Sequence, residues 1–158
     1  MNSRKTEELE LKVPQRAVES LKAAFGERLV SVVLFGSRAR GEDSRDSDWD
    51  LLVIAEELPP KHYERHLFLK GLLPTGCEGV SLLARTPREF EAHLSSICLD
   101  IALDGQIFYD PLGYATQKLS GLRQQIVRAG LFRERTEEGD FWRWEKAPPQ
   151  GRTLKWEK

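Results

Sequence analysis

The chain has 158 residues, of which 40% are hydrophobic and 31% charged, with a net charge of −1, which predicts one globular domain. The near-zero charge argues against a general attraction to nucleic acid or to membranes. The first residues are too charged for a signal peptide and no apolar run approaches the ~18 residues of a membrane span, so we expect a cytoplasmic protein.

The first half of the chain alternates between helical and strand patterns. Val18, Leu21 and Phe25 repeat at helical spacing. The run LVSVVLF is almost continuously apolar, which is typical of a strand buried on both faces. The predicted elements of this half are a helix at 13–25, a strand at 29–35, a helical turn at 38–41, a polar loop at 42–47 and a strand at 49–55.

The second half ends with the longest helical pattern of the chain. Thr86, Pro87 and Glu89 suit the N-cap, N1 and N3 positions of a capping box, so a helix opens there and runs to about Ser96 or beyond. The predicted elements of this half are a helix at 61–73, a strand at 79–84, the capped helix, an edge strand within 102–110 and a long amphipathic helix from 111.

These elements predict an α/β domain in which helices pack on a small mixed β-sheet. We assign residues 1–132 to this domain, including its C-terminal helix. Residues 133–158 form a polar tail that is predicted to be loosely structured but carries Trp142, Trp144 and Trp156. These tryptophans either attach the tail to the domain surface or form a partner interface or a nucleotide lid.

Two carboxylates stand together where the second strand begins. Asp48 and Asp50 are two residues apart, and side chains at this spacing point to the same face of a strand. Trp49 then points to the other face. Carboxylate oxygens are the ligands that Mg²⁺ prefers, with water and phosphate completing its coordination. The pattern therefore predicts a magnesium site.

The end of the first strand supplies a complementary feature. Gly36 allows the backbone to approach a ligand closely. Ser37 follows at the beginning of a helical turn, where backbone N–H groups attract phosphate. Together with the two aspartates, this turn predicts a site for a nucleoside triphosphate bound with a metal ion.

The order of these features excludes two common nucleotide-binding folds and indicates a third. Neither GxGxxG nor GxxxxGK[ST] follows a predicted strand, which argues against the dinucleotide and Walker folds. Instead, Gly36-Ser37 is followed after ten residues by Asp48-Trp49-Asp50 and an apolar strand. This pattern, with the fuller segments GSRARG and SDWDLLV, resembles the minimal nucleotidyltransferases of the DNA polymerase β-type nucleotidyltransferase superfamily.

The resemblance implies a polymerase β-like fold and the transfer of a nucleoside monophosphate from a nucleoside triphosphate, ATP being expected, to a hydroxyl of a protein or small molecule. Asp48 and Asp50 would be the catalytic residues and would bind one or two Mg²⁺ ions. Gly36 and Ser37 would hold the triphosphate. Such an ion neutralises charge on the reacting phosphates and orients them.

Two arginines adjoin the predicted phosphate turn. Arg38 and Arg40 either add positive charge to the nucleotide-binding site or are solvated charges of a loop. The residue types alone leave both interpretations open.

One family feature has no match in this sequence. The resemblance implies a third carboxylate on the next strand, but Ser81 stands at that position. Glu78 is three residues away, so a regular strand would point it to the opposite face unless a bulge intervenes. Asp100 and Asp104 are further candidates. Without a third carboxylate, a second metal ion is weakly held and no obvious base remains.

The resemblance also implies a partner. Related proteins are often paired with a HEPN-type protein in toxin–antitoxin modules, where the nucleotidyltransferase modifies or masks the toxin. Ser81 favours an alternative, a binding module of weak or absent activity that neutralises its partner through contact alone. Homo-oligomerisation stays open, and nucleic acid and membranes are not expected partners.

Overall fold

In the computed structural model, residues 2–10, 12–149 and 153–158 are described. The helices are α1 (Asn2–Glu10), α2 (Val13–Phe25), α3 (Ser37–Arg40), α4 (His62–Leu72), α5 (Pro87–Ala92), α6 (Ser96–Asp104) and α7 (Tyr114–Ala129). The strands are β1 (Leu29–Phe35), β2 (Trp49–Ala55), β3 (Val80–Arg85), β4 (Gln106–Tyr109), β5 (Leu131–Thr136) and β6 (Gly139–Trp144). Within these ranges, no helix combines the length and the apolar character needed to cross a bilayer.

Four strands form the predicted mixed sheet, in the order β3-β2-β1-β4. β1 is antiparallel to β2 and β4, whereas β2 and β3 are parallel. The end of β1 and the beginnings of β2 and β3 therefore meet at one edge of the sheet. At this edge, Phe35 pairs with Asp50, and Asp50 pairs with Ser81.

Helices cover both faces of this sheet. Val32 and Leu34 pack in a core cluster with α2 and α4, whereas Val33, Leu52 and Ile54 pack on the opposite face with α6 and α7. A strand buried on both faces needs apolar residues at successive positions rather than at alternate ones. The predicted burial of the first strand on both faces is confirmed.

The predicted capping box is present, but the helix that it opens is shorter than predicted. The Thr86 hydroxyl accepts a hydrogen bond from the Glu89 N–H at 3.2 Å, and the Glu89 carboxylate accepts one from the Thr86 N–H at 2.9 Å. The expected continuation to about Ser96 is wrong, because α5 ends at Ala92 and His93 is extended. The separate helix α6 follows, with apolar residues that are buried against the sheet and α7.

The prediction of a loosely structured tail is wrong for residues 133–144, which belong to the antiparallel hairpin of β5 and β6. Trp142, Trp144 and Trp156 pack against the core cluster under α7, and Trp142 Nε1 donates a hydrogen bond to Asp100 at 3.0 Å. This aromatic burial supports attachment of the tail to the domain and stabilises strands of polar composition. Residues 150–152 lie outside the described part of the chain, and the division at 132–133 stays a prediction.

Candidate nucleotide and metal site

The turn that follows β1 packs directly on the carboxylate of Asp50. Gly36 has a φ of +77°, a conformation that residues with a side chain rarely adopt. A Cβ atom at this position would overlap the Asp50 Oδ2 atom and lie 3.2 Å from its Cγ atom. Ser37 then begins the short helix α3. The structure therefore brings the predicted phosphate turn and a predicted metal ligand into contact.

Asp48 and Asp50 lie at the start of β2, on either side of Trp49. Asp50 is half-buried and Asp48 is exposed. Burial raises the pKa of the Asp50 carboxyl, and the charge of Asp48 raises it further, while Ser81 and Arg40 act in the opposite direction. A cation would stabilise this pair of negative charges. Two carboxylates also match the usual protein contribution to Mg²⁺ coordination, so these residues fit the ion.

Ser81 stands where the family resemblance implies a third carboxylate. It is paired with Asp50 in the parallel register of β2 and β3, and its hydroxyl donates a hydrogen bond to the Asp50 carboxylate. Across residues 2–10, 12–149 and 153–158, no three His, Cys, Asp or Glu side chains are grouped so that they could hold a metal ion. The described part of the chain therefore offers two carboxylates to an ion.

The other acidic residues suggested by the sequence have different partners. Glu78 precedes β3, and its carboxylate accepts a hydrogen bond from the Gly76 N–H at 3.1 Å. Asp100 and Asp104 lie on α6 and accept hydrogen bonds from Arg133 at 3.2 and 2.6 Å. These acidic side chains stabilise a loop and the attachment of the β5–β6 hairpin to α6.

Arg38 is bound by the loop that leads into β2. Its Nε donates a hydrogen bond to the Ser47 carbonyl at 2.9 Å, and its Nη1 is 3.2 Å from an Asp43 carboxylate oxygen. The guanidinium group also lies over the Trp49 ring, 4.2 Å from its centroid. With 9% of its side chain exposed, Arg38 is not a solvated loop charge. It orients the loop before Asp48, and its predicted contact with a triphosphate stays a prediction.

Arg40, at the end of α3, is paired with Glu42. Arg40 Nε donates a hydrogen bond to Glu42 Oε2 at 3.0 Å. The positive charge of Arg40 lowers the pKa of Asp50, although burial and Asp48 outweigh this effect. The other oxygen of Glu42 accepts a hydrogen bond from Arg135 on β5. Arg40 is therefore linked both to Asp50 at the edge of the sheet and to the hairpin.

A cavity of about 470 Å³ opens between α4 and β3. Its lining is divided about equally between apolar groups, with Leu69 and Leu82 among them, and polar groups, with His66 and Lys70 among them. Ser81 is part of its wall. This volume is within the range of small-molecule sites.

The sequence contains no signal that assigns Glu42 and Arg135 to this site. Arg135 is 93 positions away from Glu42, and its segment has the composition of a solvated tail. No local spacing connects two such charges, so only the folding of the hairpin against the 41–47 loop reveals the pair. The predicted residues Gly36, Ser37, Asp48 and Asp50, by contrast, are close because the strands that carry them are neighbours.

Comparison with known proteins agrees with this architecture. A family model described as the nucleotidyltransferase domain matches residues 15–146. A protein of Methanocaldococcus jannaschii named "Putative protein adenylyltransferase" is 45% identical over 56 residues, which cover 35% of this chain and 38% of that protein. The match therefore spans well under half the length of this curated relative.

Similar solved structures share low sequence identity with the chain. A structure described as a toxin–antitoxin with AMP-PNP is 19% identical, covers 71% of this chain and 89% of that chain, and has a TM-score of 0.49. A Shewanella oneidensis complex of a tri-AMPylated HEPN toxin with an MNT antitoxin is 15% identical, covers 76% and 91% of the two chains, and has a TM-score of 0.48. Because the family match covers most of the sequence, the protein belongs to the nucleotidyltransferase domain family, which confirms the resemblance to minimal nucleotidyltransferases.

Proposed function

We propose that the protein transfers a nucleoside monophosphate from a nucleoside triphosphate to a hydroxyl group. The observation that carries this proposal is the contact between the Gly36 turn and Asp50, beside Asp48. A turn able to hold phosphates and a carboxylate pair able to hold Mg²⁺ are the two parts that a metal-bound triphosphate requires. Membership of the nucleotidyltransferase domain family supports the same reaction.

Each residue of the site has a distinct role in this proposal. Asp48 and Asp50 hold Mg²⁺, which, when bound, offsets negative charge on the phosphates. The turn formed by Gly36 and Ser37 holds the triphosphate next to these carboxylates. Arg40 adds a positive charge, and Arg38 keeps the loop before Asp48 in position through its contacts with Asp43 and Ser47.

The reaction exchanges one bond to phosphorus for another. The acceptor oxygen forms a bond to the α-phosphorus, the bond between the α-phosphorus and the bridging oxygen breaks, and pyrophosphate leaves. The acceptor proton passes to solvent, because Ser81 provides a hydroxyl where a carboxylate could have accepted it. A positioned general base contributes roughly 10²–10⁴-fold to a rate, so we expect slow transfer.

We propose that the acceptor hydroxyl belongs to a protein. The name of the M. jannaschii relative supports a protein acceptor and AMP as the transferred group. A HEPN-type protein is the partner that the family resemblance suggests.

The proposal is tested with ATP labelled at the α-phosphate, incubated with Mg²⁺ and with or without a HEPN-type protein. We expect label on protein with the unaltered chain and none with the Asp48→Asn, Asp50→Asn double variant. Asp46→Asn is the matched control, because Asp46 is an exposed aspartate of the same loop and has no assigned role. Labelling that persists in the double variant would contradict the assignment of these carboxylates.

The pairing of Ser81 with Asp50 favours a second candidate function, a binding module that neutralises a partner without transfer. In that case, the Asp48→Asn, Asp50→Asn variant still inhibits the partner, and no label is transferred by the unaltered chain. Ser81→Asp separates the two functions further. If the protein is a slow enzyme, this substitution supplies the missing carboxylate and raises the transfer rate by about tenfold or more. A binding module gains no activity from it.

A further inference from the structure

Glu42 lies between two arginines from distant parts of the chain. It accepts a hydrogen bond from Arg40 Nε at 3.0 Å and another from Arg135 on β5. Arg135 also donates a hydrogen bond to Asp140 on β6 at 3.3 Å. Arg40, Glu42 and Arg135 line a cleft of about 420 Å³ between the 41–47 loop and the hairpin. The hairpin therefore contacts the loop that leads to the metal-binding carboxylates.

The charges of this group alternate in sign toward the site. Arg135 and Arg40 both lower the pKa of Glu42, so the Glu42 side chain is a carboxylate at neutral pH. Arg40 is the last residue of α3, which begins directly after the Gly36 turn that contacts Asp50, and its positive charge lowers the pKa of that carboxyl. From the hairpin to the site, Arg135, Glu42 and Arg40 are positive, negative and positive. With Asp140, which also binds Arg135, the group has no net charge, so the positive charge that Arg40 offers to an incoming triphosphate depends on how far Glu42 is neutralised.

We propose that Glu42 competes with the bound triphosphate for Arg40, and that Arg135 of the hairpin weakens this competition by neutralising Glu42. The inference rests on the proposed function, because it takes the ligand to be a nucleoside triphosphate held beside Asp50. It assigns to the hairpin a role in nucleotide affinity and makes Glu42 and Arg135 positioning residues that act through Arg40.

The charge order leads to opposite effects of two substitutions. Arg135→Gln leaves the Arg40–Glu42 pair with no net charge, so the dissociation constant for nucleotide rises. Glu42→Gln removes the competitor of the phosphates, so the dissociation constant falls. We expect each change to be roughly three- to tenfold at low ionic strength and smaller at high salt, as for partly screened charges. The double variant removes one charge of each sign and keeps the net charge of the unaltered chain, so its dissociation constant for nucleotide should be close to that of the unaltered chain.

The experiment measures, by titration calorimetry, binding of an ATP analogue with a methylene group between the α- and β-phosphates in the presence of Mg²⁺. Such an analogue cannot undergo transfer, so the measurement reports affinity alone. Arg143→Gln is the matched control, because Arg143 pairs with Glu134 on the same hairpin and its loss changes the net charge equally. Arg135→Lys keeps the charge at position 135. Arg143→Gln and Arg135→Lys should both bind the analogue with an affinity close to that of the unaltered chain.

Several outcomes overturn the inference. If Arg135 only anchors the hairpin, Glu42→Gln does not tighten binding and the double variant binds as weakly as Arg135→Gln. Equal affinities in all variants overturn this inference and leave the proposed function intact. An unaltered chain that binds no analogue overturns both. Should Arg135→Gln fail to fold in a thermal unfolding measurement, the sign of the Glu42→Gln effect still decides between the two explanations.

Discussion

At the scale of single residues, the site depends most directly on the close approach of Gly36 to Asp50. Gly36→Ala adds a Cβ atom that overlaps the Asp50 carboxylate, at a backbone conformation that already disfavours a side chain. Gly41 provides a matched control, because its φ of +70° is similar but nothing lies within 4 Å of the added atom.

We predict that Gly41→Ala costs about 1–2 kcal/mol of unfolding free energy, the usual cost of a left-handed conformation for a residue with a side chain. Gly36→Ala should cost more and should also abolish binding of Mg²⁺-bound nucleotide. Urea denaturation and calorimetry measure the two effects. Equal losses of affinity in both variants would show that the contact with Asp50 is unimportant.

Asp50 leads to a prediction about stability and pH. Its pKa is raised in the folded chain, chiefly by burial and then by Asp48, so folding favours its protonated form. The stability that it contributes is present below its ordinary pKa of 3.8 and is lost as pH rises through the raised value. At neutral pH the charged group therefore destabilises the fold.

We therefore expect Asp50→Asn to raise the unfolding free energy at about pH 7, and to raise it less as the pH approaches 3.8. The same variant should lose metal-dependent transfer, which would be a trade-off between stability and function. Denaturant unfolding across a pH series measures the first effect. Asp46→Asn, the exposed control, should show little change at any pH, and a similar gain in that variant would contradict the explanation.

At the scale of secondary-structure elements, the pair of Arg65 on α4 and Glu89 on α5 joins two helices beside β3. The two nitrogens Nη1 and Nη2 of Arg65 donate to the two carboxylate oxygens of Glu89, each at 2.8 Å. Arg65 also donates to the carbonyls of Pro59 and Ala84 at 2.7 and 3.2 Å. Hydrogen bonds to Arg65, and to a lesser extent the Thr86 N–H, lower the pKa of Glu89 to about 2.

Arg65→Met should destabilise the protein by about 2 kcal/mol at neutral pH, less than the 3–5 kcal/mol of a fully buried pair, because 40% of Glu89 remains exposed. Because the pKa of Glu89 is lowered in the folded chain, the stability that this carboxylate contributes is present above its ordinary pKa of 4.5 and is lost as the pH falls toward 2. The unfolding free energies of the unaltered chain and of Arg65→Met, measured across this pH range, should therefore converge at low pH. A difference that does not change with pH would assign the loss to packing alone.

The β5–β6 hairpin contacts both the hydrophobic core and the loop that leads to the candidate site. Trp142 and Trp144 point into the core cluster under α7, while Arg135 contacts Glu42. In the antiparallel register Arg133 pairs with Trp142 and Arg135 with Asp140, so Arg135 lies on the same face of the hairpin as the two tryptophans, nearer to its turn. The same strand pairing that buries the tryptophans therefore determines where Arg135 lies.

At the scale of the whole molecule, the C-terminal segment closes one face of the domain. Trp156 packs against Phe90 of α5, with ring centroids 4.8 Å apart. We predict that Trp156→Ala destabilises the chain by about 2–3 kcal/mol, somewhat below the range for a fully buried aromatic side chain. Phe141→Ala is the control, since Phe141 is 44% exposed on the hairpin and its loss should cost under about 1 kcal/mol.

Thermal and urea unfolding measure the difference in stability between Trp156→Ala and Phe141→Ala. If Trp156 contributed only to a partner interface or to a lid over the nucleotide, Trp156→Ala would leave the stability of the isolated chain unchanged. That result would favour a partner interface or a nucleotide lid over attachment of the tail.

The core strands were predictable because their signals are local. β1 and β2 have the predicted limits, since runs of apolar residues buried on both faces contrast sharply with the polar segments beside them. The break between α5 and α6 was not predictable, because the apolar residues of α6 are paired with α7 and the sheet rather than with near neighbours. The hairpin was missed for the same reason.

By itself, the sequence determined the chemistry of the candidate site. The spacing of Asp48 and Asp50 places both carboxylates at the start of one strand, and the preceding Gly36-Ser37 turn follows from the end of another. Only the tertiary structure decided what surrounds them. It paired Ser81 with Asp50, gave Glu78 a backbone partner in its own loop and brought Arg135 to Glu42. The reason is physical: strand spacing is a property of adjacent residues, whereas the partners of a charge depend on which distant elements pack beside it.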